Sequence, residues 1–343
     1  VTADSLLAAL DSRPDPSVAT LPDGSVDRYC RLAAGGLDPV ARRQTFAREV
    51  ATGGRKGFGL QTDDGEPGGQ CVNAATQTHA LGADTTCYGH LDHSVLSALP
   101  FRTVSMGRPA TVFVLDFDDG DLLLAEQSHD LSEWTLDDLE AVAPVETVFD
   151  VDAVCWTNWI SVPNAEAAFH TLGRADLPRI PLVFDPGDVL GSSVDGHRRL
   201  REATTALQET FDVTVSVNTS ELRAMFAALP DPPAAPVTDR DRVRTLREAM
   251  GVTAVSLHAT AESVVVTESG LVTDDVVRYA RPKRHTGGGD RFSGGLAFAL
   301  GAGWGWETAL QCANEAASYY VRTGETATVD DLVERLETVD VRE

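Results

Sequence analysis

Lysine is nearly missing from this 343-residue chain: Lys56 and Lys283 are the only two, and arginine makes up the rest of its 28 basic side chains. The formal charge is −24. The acids are dispersed along the chain instead of gathered in a block, which excludes an acidic tail or a mimic of nucleic acid and makes nucleic acid and anionic membranes poor partners. Dense carboxylate with scarce lysine suits a salt-rich cytosol, where charge is screened within a few ångströms. No apolar run approaches the roughly 20 residues of a membrane-spanning helix. Val1 to Leu10 also lacks a basic-then-apolar leader, so the cytoplasm is the expected compartment.

Cysteine and histidine are present without pattern. The five cysteines (Cys30, Cys71, Cys87, Cys155, Cys312) are odd in number, widely spaced and never in a C-x-x-C pair. A disulfide framework or structural zinc is therefore not expected, and each cysteine should pack as a small apolar residue. The eight histidines show no H-E-x-x-H spacing, which argues against a metalloenzyme built on protein ligands. No G-x-x-x-x-G-K-[ST] loop occurs. The Gly-rich segments sit late, which disfavours a dinucleotide oxidoreductase, whose Gly-rich turn follows the first strand.

From about residue 150 onward, apolar runs at 153–158, 182–186, 212–218 and 253–258 alternate with helix-like stretches at 163–174, 195–210, 219–229 and 239–250. Such alternation predicts βαβ units around a mostly parallel sheet flanked by helices, with Pro230 to Pro236 as a loop. The first third differs. Residues 110–117 and 121–125 flank Asp118-Asp119-Gly120, a hairpin signal, and Asp27 to Asp64 is rich in arginine and glycine and weakly periodic. We read 1–343 as one α/β domain carrying a small β-sheet lid inserted at about 27–64 and 108–127.

The most specific feature is Thr286-Gly287-Gly288-Gly289-Asp290-Arg291-Phe292-Ser293-Gly294-Gly295, followed by the apolar helical run Leu296 to Leu300. Glycines leading into a helix bring unpaired N–H groups and the positive end of the helix dipole to one point, which suits an anion. A tight turn with close helix–sheet packing at Gly294 and Gly295 accounts for the same letters. Upstream stand Gly24-Ser25-Val26-Asp27, Gly68-Gly69-Gln70-Cys71-Val72-Asn73-Ala74-Ala75 and Asn218-Thr219-Ser220-Glu221. The last reads equally as a capping box, in which Asn caps a helix and Glu closes it from the third position.

In this order the segments resemble the signatures of ribokinase-type (PfkB) carbohydrate kinases over roughly residues 20–330, the glycine turn matching T-G-A-G-D-x-F-x-G-G. The resemblance implies a ribokinase-like fold and phosphoryl transfer from a Mg2+-bound nucleotide, ATP or another. It implies Asp290 as catalytic base, the amides of Gly287, Gly288 and Gly289 as anion hole, and Asp27, Gly68, Gly69 and Asn73 as sugar ligands. Asn218 and Glu221 would order the metal–phosphate assembly through water. Asn314 would lie near the nucleotide base, or be a helix-surface amide. Relatives of this type often dimerise through their lids.

The departures bear on the acceptor. Arg291 follows the aspartate where a small residue is common; it could lower the proton affinity of Asp290 or grip a phosphate. Arg284 and His285 replace the usual Asp and Thr, leaving the turn's anchoring open. Arg55, Lys56 and Arg108 are either a phosphate clamp or a solvated loop. A clamp points to a phosphorylated sugar, and with the acidic composition the chain then resembles the ribose-1-phosphate kinases of this family, which implies ribose 1-phosphate going to ribose 1,5-bisphosphate. A nucleoside or free-sugar kinase and a non-catalytic sugar or nucleotide sensor are the alternatives.

Overall fold

The computed structural model describes residues 3–33, 40–53, 57–126, 128–232, 237–276, 282–284 and 286–340, the side chains of 339 and 340 excepted. Its strands are, in chain order, β1 (Ser17–Leu21), β2 (Ser25–Ala33), β3 (Gly59–Thr62), β4 (Glu66–Gly68), β5 (Asp84–Gly89), β6 (Arg102–Ser105) and β7 (Ala110–Leu115). They continue with β8 (Leu122–Glu126), β9 (Ala153–Thr157), β10 (Pro181–Asp185), β11 (Asp212–Asn218), β12 (Ala254–His258), β13 (Glu262–Thr267) and β14 (Leu271–Asp275).

Nine strands form the main sheet in the order β14-β13-β12-β11-β10-β9-β1-β5-β6. It is parallel from β12 to β6 and antiparallel across β12–β13–β14. The four runs read as strands from the sequence are its buried centre. They are continuously apolar because both faces are covered. Val154, Trp156, Leu182 and Phe184 enter one core with the helices Ala165–Leu172, Val194–Leu207, Thr219–Ala227 and Asp239–Met250. The alternate residues Cys155 and Val183 enter a second core with the helices Gly288–Gly301 and Trp306–Thr323. All five cysteines are buried and free, as their scatter suggested.

The second sheet runs β3-β2-β7-β8, with β4 also paired to β2. β2, β3, β7 and β8 fall in or at the edge of the two segments read as a lid, β4 lies just beyond the first of them, and the sheet has its own apolar cluster of Cys30, Leu32, Val40, Leu115 and Phe117. Among the described residues no helix is long and apolar enough to cross a membrane.

The glycines lead directly into a helix, as read from the sequence: it spans Gly288–Gly301, with Gly287 as N-cap at φ 88°, a left-handed conformation that favours glycine. Asp290 therefore sits inside the first turn. The close approach at Gly294 is helix to helix, since a Cβ there would lie 2.6 Å from the Ala74 carbonyl oxygen in the Gln70–Ala80 helix.

Candidate active site

After β1 the chain feeds β5 and β6 on one side and β9 to β12 on the other. A crevice therefore opens at the carboxyl ends of the strands, where open α/β sheets bind ligands. Asp23 lies just past the end of β1 and is buried. Its carboxylate accepts hydrogen bonds from the backbone N–H groups of Gln70 (3.0 Å) and Cys71 (2.8 Å), from the Thr157 hydroxyl (3.0 Å) and from the Asn158 amide (3.1 Å). It thus caps the Gln70–Ala80 helix and fixes the turn that carries Gln70 and Asn73.

Those two side chains meet the helix starting at Gly288. The Asn73 amide donates to Asp290 Oδ2 at 2.8 Å, and Gln70 Nε2 lies 3.4 Å from both Asp290 Oδ1 and Asp185 Oδ1. Asp185, at the end of β10, also accepts from the Gly187 N–H (3.1 Å) and the Ser293 hydroxyl (2.9 Å). Burial pushes the Asp290 carboxyl up to about 6, helped by the Asp185 charge and opposed by Asn73 and Arg291. A base with that proton affinity is ionised at neutral pH yet still able to accept a proton.

Asp27, on β2, is also raised to about 6, chiefly by burial and against a 2.5 Å hydrogen bond from Ser25; Asp290, Glu66 and Asp23 add to the rise. Gly68 leaves the room that Asp27 occupies: a Cβ on Gly68 would lie 2.2 Å from the Asp27 carboxyl. Gly69 is the N-cap of the Gln70–Ala80 helix, at φ 95°.

A cleft of about 950 Å³ runs from Gln70, Asp185 and Asp290 past Gly287–Gly289, Asn218, Glu221 and His258 to Asn314. That volume lies within the upper range of ligand sites. Asn218 and Glu221 line it and also form the capping box, Asn218 Oδ1 accepting from the Ser220 and Glu221 N–H groups and Glu221 from the Asn218 N–H. Burial, then the neighbouring Asp185 charge, pushes Glu221 up to about 8.

Among the described residues no group of three or more acids, histidines or cysteines is gathered tightly enough to chelate a metal. The Asn218 amide and the Glu221 carboxyl, which line the cleft, are oxygen donors of the kind a hydrated hard cation takes.

Asn314 is not a surface amide. It is buried, receives the Ser263 hydroxyl (3.2 Å) and donates to Asp274 (2.6 Å) and to the Asp275 carbonyl (3.2 Å), which ties the Trp306–Thr323 helix to β13 and β14. Arg291 is not among the residues that line the cleft. Its side chain is buried, donates to the Asn73 carbonyl and lies 4.7 Å over the Tyr320 ring. Arg108 is exposed and paired with Asp130 at 3.4 Å. Arg55 and Lys56 lie outside the described residues, as does His285.

The glycine turn is anchored by contacts with the small sheet and its flanking residues. Arg284 bonds Glu66 at 3.3 Å and lies 4.4 Å over the Tyr29 ring, and the Thr286 hydroxyl donates to Asp121 at 3.0 Å. Sequence reasoning overlooked Asp23, Gln70, Asp185 and His258. The signal available was an acid or polar residue at the carboxyl end of an apolar strand, as in Phe184-Asp185-Pro186-Gly187.

Comparisons with known proteins agree with this architecture. A ribokinase from Arabidopsis thaliana, solved with ribose and ATP, superposes with a TM-score of 0.66 at 17% identity, covering 94% of this chain and 99% of the other. A nucleoside kinase from Methanocaldococcus jannaschii gives 0.66 at 14% identity, over 95% of this chain and 100% of the other. At such identities the likeness shows the ribokinase-like fold. A ketohexokinase from Haloferax volcanii is 30% identical over 331 residues, covering 90% of this chain and 84% of that protein. The model of the prokaryotic ketohexokinase family matches residues 46–338. The chain is a carbohydrate kinase of ribokinase-like fold and belongs to the prokaryotic ketohexokinase family.

Proposed function

We propose that the protein transfers the terminal phosphoryl group of ATP to a hydroxymethyl group of a free ketohexose. The observation that carries this reading is the Asp290 carboxylate, held by Asn73 at 2.8 Å in the first turn of a glycine-led helix at the mouth of the cleft. In an in-line transfer the acceptor oxygen bonds to phosphorus as its proton passes to Asp290, while the bond to the nucleotide's bridging oxygen breaks. The amides of Gly287, Gly288 and Gly289 stabilise charge on the phosphoryl oxygens. Mg2+, when bound with the nucleotide, neutralises phosphate charge; Asn218 and Glu221 are the residues that would hold its waters. Asp27, Asn73 and the backbone at Gly68 and Gly69 bind the sugar hydroxyls.

The acceptor side favours an uncharged sugar. The charges of Asp290, Glu66 and Asp23 act on Asp27 there, Arg291 is buried against Tyr320, and Arg108 is paired outside. A phosphorylated acceptor would meet repulsion from these carboxylates. Kinship with the Haloferax ketohexokinase supports the same choice.

The test is a coupled kinase assay at high potassium with ATP against fructose, ribose, nucleosides and ribose 1-phosphate. A kcat/KM highest for the ketohexose is expected. A preference for ribose 1-phosphate would instead establish a sugar-phosphate kinase with its clamp at Arg55 and Lys56.

A further inference from the structure

Arg291 is a buried cation that the transfer chemistry above does not use. Its residue is 6% exposed, its guanidinium donates to the Asn73 carbonyl oxygen, and Tyr320 lies beneath it at 4.7 Å. Among the described residues no carboxylate lies within ion-pair distance of it, and its Nε has no hydrogen-bond partner. A buried charge left in that state is costly, so its position calls for a reason beyond packing.

Asn73 is gripped from both ends by consecutive residues: its side-chain amide bonds the Asp290 carboxylate, and its backbone carbonyl receives Arg291. We infer that Arg291 is a positioning residue for phosphoryl transfer, locking Asn73 to Asp290 and supplying the fixed positive charge that offsets the acids around the base. The inference rests on reading Asp290 as that base.

Around Asp290, Asp185 at the end of β10 and Asp23 beyond β1 favour its protonated form, the Asp27 and Glu221 carboxyls also face it, and Asn73 and Arg291 favour the carboxylate. Around Arg291 stand Tyr320 from the Trp306–Thr323 helix, Asp290, Tyr29 on β2 and Glu66 on β4. Arg291 is the positive member of this set sequestered from solvent, where salt screens least. Its influence on Asp290 should therefore survive molar potassium.

The experiment is the pH profile of kcat/KM for the acceptor, at low and high potassium, in wild type, Arg291→Gln, Arg291→Lys and Asp290→Asn. Glutamine keeps a donor for the Asn73 carbonyl and loses the charge, so its acid limb should move up by about one pH unit. Its activity should recover to within about tenfold of wild type at high pH. Lysine keeps the charge, so its limb should stay at the wild-type position.

A glutamine variant with a wild-type limb and a lowered plateau would reduce Arg291 to packing and overturn the inference. A lysine limb displaced as far as the glutamine one would overturn it too, and where circular dichroism shows Arg291→Gln unfolded, the lysine profile decides alone. Turnover surviving in Asp290→Asn would refute the base itself, a separate failure from that of Arg291.

Discussion

At the scale of single residues, the site depends on spaces as much as on groups. Gly68 is the clearest case, because a methyl group there would overlap the Asp27 carboxyl at 2.2 Å. Gly68→Ala should displace Asp27 and raise the acceptor KM by about ten- to a hundredfold, since small misplacements near reacting groups are that costly. The nucleotide KM should stay within about twofold, because the change is confined to the sugar side. Steady-state kinetics with each substrate varied in turn would check it. An equal rise in both constants would show that the residue supports the whole cleft.

Asp290, Asn73 and Glu221 could be picked out in the sequence because each sits in a short pattern whose spacing has a chemical reason. Arg291 left two readings open there, a hold on the proton affinity of Asp290 or a grip on a phosphate, and its buried bond to the Asn73 carbonyl favours the first. Neighbours on a helix point about 100° apart, so a residue adjacent to the base in sequence is turned away from it in space. Asp185 and Asp23 passed unnoticed because a lone acid after a strand looks like any turn residue until the sheet order brings strand ends together.

At the scale of elements, the buried strands β9 to β12 and the helices between them stand out in the sequence as long apolar or amphipathic runs. In the small sheet, β7 and β8 stand out as the hairpin flanking Asp118-Asp119-Gly120, whereas β3 and β4 do not. β4 is Glu66-Pro67-Gly68, poor strand formers paired with β2, and β3 is exposed along its length. Tertiary pairing decides such short segments, and no local signal marks them.

What joins lid to core is likewise non-local: Arg284 on Glu66 and Tyr29, and Thr286 on Asp121. Arg284→Ala should loosen the lid over the glycine turn and raise acceptor-independent ATP hydrolysis several-fold relative to sugar phosphorylation. The melting temperature should barely move, since a partly exposed ion pair contributes about 0–1 kcal/mol. An unchanged ratio of hydrolysis to transfer would show that the contact has no part in excluding water.

For the whole molecule, the acids of the cleft link function to stability. Glu221 near 8 and Asp290 and Asp27 near 6 all stand above their ordinary values of 4.5 and 3.8. Between those limits the folded protein holds more protons than the unfolded chain. Their contribution to stability is complete below the unfolded values and is lost as pH rises through the folded ones. The ligand-free protein should therefore melt several degrees lower at pH 8 than at pH 5.5 at constant high salt. Glu221→Gln should flatten the upper part of that decline, and a slope identical to wild type would place the linkage in other groups.

The central claim is that Asp290 takes the acceptor's proton, and the most direct measurement is the pH dependence of ketohexose phosphorylation in wild type beside Asp290→Asn, with nucleotide binding followed by calorimetry. We expect a wild-type kcat/KM that falls below about pH 6, the value to which burial raises this carboxyl. The asparagine variant should bind nucleotide normally and lose at least about a thousandfold in kcat at every pH. Turnover in the variant within tenfold of wild type, or an acid limb that persists in it, would contradict the account.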